Sequence, residues 1–121
     1  MKIRYIISVF IGLCIMGCSK QNDRSTLKKM LKSGEIDQII EATNYISYHK
    51  DTSMVEDMLE HAFDPRITHI ITHKGMSVYQ IKMAAMKEMT GILPPNKTTY
   101  KPDSVNIRFY LNVAIKHGWI K

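Results

Sequence analysis

Two histidines four residues apart, His69 and His73, hold the sharpest chemical spacing in this sequence. On a helix such a pair places both imidazoles on one face, where they could hold a transition metal. A third ligand is missing. Ile70 rather than Glu follows His69, so the general base of a zinc-protease helix is absent, and His61 and Asp64 are donors only nearby in sequence. The reading adopted is that His69 and His73 cap and surface the turn ahead of Gly75, with a metal role for the pair as the alternative. The stretch from His69 to Tyr79 is dense in contact groups. His69, His73, Lys74, Met76 and Tyr79 combine cations, a thioether and an aromatic ring, a mixture found at contact surfaces, and they are the expected partner surface. Other chemistry finds no support. No serine sits in a G-x-S-x-G context. Glu56, Asp57 and Glu60 have the spacing of a solvated helix stripe rather than an acid-base pair. Of nine methionines, Met30, Met58, Met86 and Met89 fall on helical stripes, which makes them core filler rather than copper ligands. No catalytic residue, metal or cofactor is therefore expected, and the chain is expected not to be an enzyme.

The remaining reactive group is a thiol. Lys2 and Arg4 open the chain, Ile6 to Met16 runs without a charge, and Gly17-Cys18 closes the run. This three-part pattern is that of a secretory signal. As a helix, the segment from Tyr5 to Cys18 would span roughly 21 Å, short of a hydrocarbon core of about 30 Å, so a permanent membrane span is disfavoured. Ile15-Met16-Gly17-Cys18 resembles the processing motif of bacterial lipoproteins: aliphatic, variable, small, then cysteine. That resemblance implies cleavage before Cys18, a diacylglyceryl thioether on its sulfur and often a third, amide-linked acyl chain of the palmitate kind. Two or more chains give durable attachment where one is marginal. Ser19, not Asp, follows Cys18, which by the same resemblance points away from inner-membrane retention and toward the outer membrane of a double-membraned host. Residues 1–17 read as signal peptide, 18–25 as a polar tether and 26–121 as the folded body. Cys14 leaves with the signal and Cys18 is acylated, so the body holds no thiol and must be stabilised by packing alone.

The chain is +6, and loss of Lys2 and Arg4 leaves residues 18–121 at +4. Lys28, Lys29 and Lys32 form the densest basic patch, beside the tether, and read as a solvated helix face. An exported protein without aromatic-interleaved basic motifs is not expected to bind nucleic acid.

The elements that would position these residues are helical. Leu27, Met30 and Leu31 mark a short first helix that Gly34 stops. Ile36, Ile39, Ile40, Thr43 and Ile46 mark a second, over about 36–48. Ser53-x-x-Glu56 has capping-box spacing, with Val55, Met58, Leu59 and Ala62 as the stripe of a third. Asp64-Pro65 suits an N-cap and first turn; Arg66 to His73 could then be a short helix or, with Ile67, Ile70 and Ile71, a strand-like run. Ser77 caps a helix lined by Val78, Ile81, Ala84, Ala85, Met86 and Met89 and ended by Gly91. Residues 92–102 carry three prolines and read as a loop. Asp103-Ser104 caps a last helix, apolar on nearly every side and thus expected to be packed by neighbours, with Trp119 and Ile120 folding back after Gly118.

The expected fold is all-α: a small irregular bundle of antiparallel helix pairs. The run Ser77 to Gly91, with Val78, the paired Ala84-Ala85 and the closing Thr90-Gly91, resembles the second helix of a HEAT-like repeat, which implies an α-α superhelix over about 53–118. Together these readings predict a membrane-anchored lipoprotein of the cell envelope acting as a non-enzymatic protein-interaction module. Its partner would be an envelope or periplasmic protein. An immunity-type lipoprotein that neutralises a periplasmic toxin is the alternative binding role.

Overall fold

A computed structural model describes residues 23–121. Ile15, Met16, Gly17 and Cys18, and with them the signal and its cleavage site, lie outside the described residues. The described chain is all-α: five helices, two single 3-10 turns and one isolated antiparallel bridge.

Helix α1 (Arg24–Lys32) starts two residues earlier than expected, taking in Arg24 and Ser25 from the segment assigned to the tether. The reason is Asp23, whose carboxylate accepts from the Thr26 N–H at 2.8 Å and occupies the N-cap position where such oxygens are most favourable. Leu27 and Leu31, one turn apart, are buried. Gly34 follows at φ +78°, a left-handed turn that a Cβ would strain. Helix α2 (Ile36–His49) buries Ile39, Ile40, Ala42, Thr43 and Ile46.

The third helix differs in detail. Asp51, not Ser53, supplies the cap by accepting from the Ser53 N–H, and a 3-10 turn (Thr52–Met54) precedes a short α3 (Val55–Leu59). His61 breaks the chain direction at φ +58°, so the helix stops short of Ala62. Residues 60–77 form the largest departure from a purely helical reading. Asp64 does not start a helix. Its carboxylate turns back onto the Arg66 N–H at 3.0 Å, an Asx turn that competes with capping. The chain then runs extended. Ile67 bridges Ser77, Thr68 N–H donates to the Met76 carbonyl at 2.9 Å, and Val78 N–H donates to the Arg66 carbonyl at 2.9 Å. A 3-10 turn (Ile71–His73) closes this narrow loop.

Ser77 caps α4 (Val78–Thr90) by accepting from the Gln80 N–H, and Gly91 ends it at φ +71°. Asp103 caps α5 (Ser104–Lys116). Only Asn106, Tyr110, Val113 and Ala114 of α5 are buried, while Val105 and Ile115 are 46% and 55% exposed. The expectation of all-round burial is thus corrected: α5 closes the edge of the bundle and its apolar outer residues meet solvent. Trp119 and Ile120 pack back against the core. Helix α2 packs against α1 and α4, α3 against α1 and α5, and α4 against α5. The core runs through Leu27, Ile46, Met54, Met58, Tyr79 and Met86, each almost without exposed surface. Truncating one such side chain to alanine costs about 2–5 kcal/mol. No helix among the described residues is long and apolar enough to cross a membrane.

Candidate functional site

The structure separates the residues of the expected contact patch. His69 and Lys74 are exposed, and His73 and Met76 are half-buried. Tyr79 is wholly buried. Its position at the start of α4 turns the ring into the core, where the hydroxyl accepts from Asn106 Nδ2 at 3.1 Å. Tyr79 is therefore not a surface residue. His69 and His73 do not share a helix face, because the backbone is extended through Ile70 before the 3-10 turn. His73 Nε2 instead faces Asn44 Nδ2 at 2.9 Å. Among the described residues no group of three His, Cys, Asp or Glu side chains could hold a metal ion.

Besides a polar hollow of about 510 Å³ lined by Arg24, Tyr45, His49, Lys50 and Asp51, two concave regions emerge among the described residues. The first is a polar cleft of about 350 Å³ whose walls include Gly34, Glu60, His61, Asp64, Arg66 and Lys82. Arg66 makes a fork on Asp64, with Nε and Nη2 at 2.8–3.2 Å from the carboxylate oxygens, and donates from Nη1 to the Gly34 carbonyl at 2.7 Å. This guanidinium ties the 60–77 loop to the turn after α1. Lys82 is the unexpected member: it projects from α4 with 2% of its surface exposed and donates from Nζ to the Glu60 carbonyl at 3.1 Å. Glu60 terminates α3, so a cation sits at the carbonyl end of that helix, where the helix dipole favours it. Burial pushes the Lys82 ammonium down to about 8, against the pull of Asp64 and Glu60. Burial works to raise the Asp64 carboxyl, but the hydrogen bonds and charge of Arg66 overcome it and hold the group below its usual range. Within the cleft Arg66 and Asp64 are paired with each other, and Lys82 is held by a backbone carbonyl alone. The chemistry of the cleft is bracing of α3, α4 and the 60–77 loop.

The second region is apolar. A groove of about 420 Å³ lies between α4 and the segment 92–98, lined among others by Met76, Met83, Ala84, Leu93 and Pro94. A smaller hollow of about 130 Å³ on the other flank of α4 is lined by Asn44, Ser47, His73 and Ile81 and shares Met76 and Ala84 with the groove. Ala84, expected in the core stripe, is in fact exposed. Gln80, Ala84 and Lys87 border the groove along α4, and Ala84 borders the smaller hollow as well. Two members of the expected patch, His73 and Met76, border this surface; the residues that dominate it were not singled out. Their signal was present in part: Lys87 lies one turn beyond Ala84, and Leu93 is an apolar residue stranded in a proline-rich loop.

Comparison with family models, with curated proteins and with solved structures finds no match to this chain.

Proposed function

We propose that this chain is a bacterial lipoprotein whose helical body, with HEAT-like helix pairs, is a non-enzymatic protein-interaction module held at a cell-envelope membrane through acylated Cys18. The interaction reading is carried by the apolar groove beside α4, with exposed Ala84 at its edge. A concave, mostly apolar surface with few polar groups is where binding is expected. In the cleft around Lys82, Arg66 is already paired with Asp64 and Lys82 already donates to the Glu60 carbonyl. The anchoring reading rests on Ile15-Met16-Gly17-Cys18, and Ser19 favours the outer membrane. In this role the lipid fixes the module near a membrane and raises the effective concentration of an envelope partner around the groove.

The experiment is metabolic labelling with radioactive palmitate followed by membrane fractionation. The native chain takes up label and sediments with membranes, and Cys18→Ala does neither. Labelling that survives in Cys18→Ala would refute the anchor.

A further inference from the structure

The wall of the apolar groove opposite α4 has no regular secondary structure, yet it is fixed at two points. The Ile92 carbonyl accepts from the Tyr110 hydroxyl at 2.7 Å. The Asn96 backbone is held on both sides by one carboxamide: its N–H donates to Asn106 Oδ1 at 3.0 Å, and its carbonyl accepts from Asn106 Nδ2 at 3.1 Å. Asn106 is itself buried. Burying a carboxamide is unfavourable unless its hydrogen bonds are made, and here they are made to this loop and to Tyr79. The groove is thus formed before anything enters it, which removes the entropy cost of ordering a loop on binding.

Its charge is one-sided. Lys87 and Lys97 are the charged side chains among its described lining residues, and no carboxylate lines it. Asp103, the nearest acid tied to this wall, is committed to Asn96 Nδ2 at 2.9 Å and to the Val105 N–H at 2.8 Å. Leu93 stands 67% exposed at the rim. The floor carries Met76 and Met83, side chains that adapt to differently shaped apolar groups.

We propose that this groove receives a segment of a partner protein bearing apolar anchor side chains next to a carboxylate, with the anchors on Met76, Ala84 and Leu93 and the carboxylate between Lys87 and Lys97. The proposal rests on the interaction-module reading and names the occupant of its site. The same two lysines repel basic segments, so they supply specificity by exclusion as well as attraction. The exposed small residue Ala84 allows close approach at the edge of the groove.

The test uses the full chain in detergent as bait for a displayed library of random peptides of about a dozen residues, a length able to carry anchors and flanking charge on one segment. Selected peptides are then measured by fluorescence anisotropy. The expected peptides place large apolar residues beside Asp or Glu. Ala84→Glu, and separately Lys87→Glu with Lys97→Glu, weaken their binding by about tenfold or more, whereas Ile115→Glu on the far exposed face of α5 leaves it unchanged. All of these positions are exposed, and circular dichroism checks that each variant keeps its fold. Selection of basic or uncharged peptides, no selection above background, or undiminished binding in Ala84→Glu would overturn the proposal. So would displacement of the peptides by dodecanoate at equal affinity, which would mark a lipid site, or self-association abolished by Ala84→Glu, which would mark a second copy as the occupant. If peptides fail while crosslinks to an envelope protein form from another face in cells, the groove assignment falls and the module reading stands; if both fail, both fall.

Discussion

Lys82→Met offers a quantitative test of the brace between α3 and α4. Methionine retains most of the aliphatic stem and removes the charge. In the folded chain burial brings the Lys82 ammonium down to about 8 from an ordinary value of 10.5. A lowered lysine means that the unfolded chain holds a proton that the folded chain releases. Stability must therefore rise with pH between those two values. The penalty for burying the charge is fully present below about pH 8 and fades above it. Integrating the linkage from about pH 7 to about pH 9.5 gives a gain of about 2 kcal/mol for the native chain and none from this position in the variant. At about pH 7 two effects oppose each other in Lys82→Met. Relief of the charge penalty is worth about 3 kcal/mol. Loss of the donor to the Glu60 carbonyl costs about 1–3 kcal/mol. The variant should then be equal to or somewhat more stable than the native chain near neutrality and less stable near pH 9.5. The assay is urea unfolding followed by circular dichroism at several pH values, reading the difference between the two proteins so that other groups cancel. Parallel stability curves with no crossing would refute a buried, charge-penalised Lys82.

Three further outcomes follow from the same geometry. Tyr110→Phe removes the hydroxyl bond to the Ile92 carbonyl and should lower stability by about 1 kcal/mol at neutral pH. Burial, with Tyr79 beside it, pushes the Tyr110 phenol up to about 12, so the native chain should lose stability as pH rises from 10 toward 12, and the variant should lose less over that range in alkaline melts. Asn106→Leu leaves the Asn96 N–H and carbonyl without their partner; hydrogen exchange at Asn96 should accelerate, and unchanged protection would show that the loop is held otherwise. His69→Ala, at an exposed position, should change stability by no more than about 0.5 kcal/mol, whereas His73→Ala, which loses the contact with Asn44, should cost about 1 kcal/mol. A zinc-dependent rise in Tm that vanishes in either histidine variant would restore the metal reading.

Local signals in the sequence carried most of the helical architecture. Ser77, Gly91 and Asp103 act through hydrogen bonds and backbone angles that span four residues or fewer, so their roles could be read without knowing the fold. The segment 60–77 could not. Asp64-Pro65 suits a helix start, but the same carboxylate satisfies the Arg66 N–H and guanidinium, and the bridge from Ile67 to Ser77 depends on where the chain returns. Separating His69 from His73 follows from that long-range closure. Lys82 was missed because lysine reads as surface, although it stands one turn after Val78 and beside Ile81 on the buried face. Tyr79 lay next to the apolar stripe and proved to belong to it. The groove is tertiary by construction, since its walls are α4 and a loop fixed from α5, and only Met76 of its lining was singled out from sequence.

Site-specific photocrosslinking in intact cells tests partner binding at the groove, with the photoreactive residue placed at Ala84 or at Ile115 of the full chain. Both positions are exposed, so incorporation leaves the core intact. A membrane-held module with a partner in its groove gives one discrete adduct with an envelope protein from Ala84, none from Ile115, and loss of the Ala84 adduct when Cys18→Ala releases the chain from the membrane. Equal adducts from both positions, or none from Ala84 in the anchored chain, would contradict it.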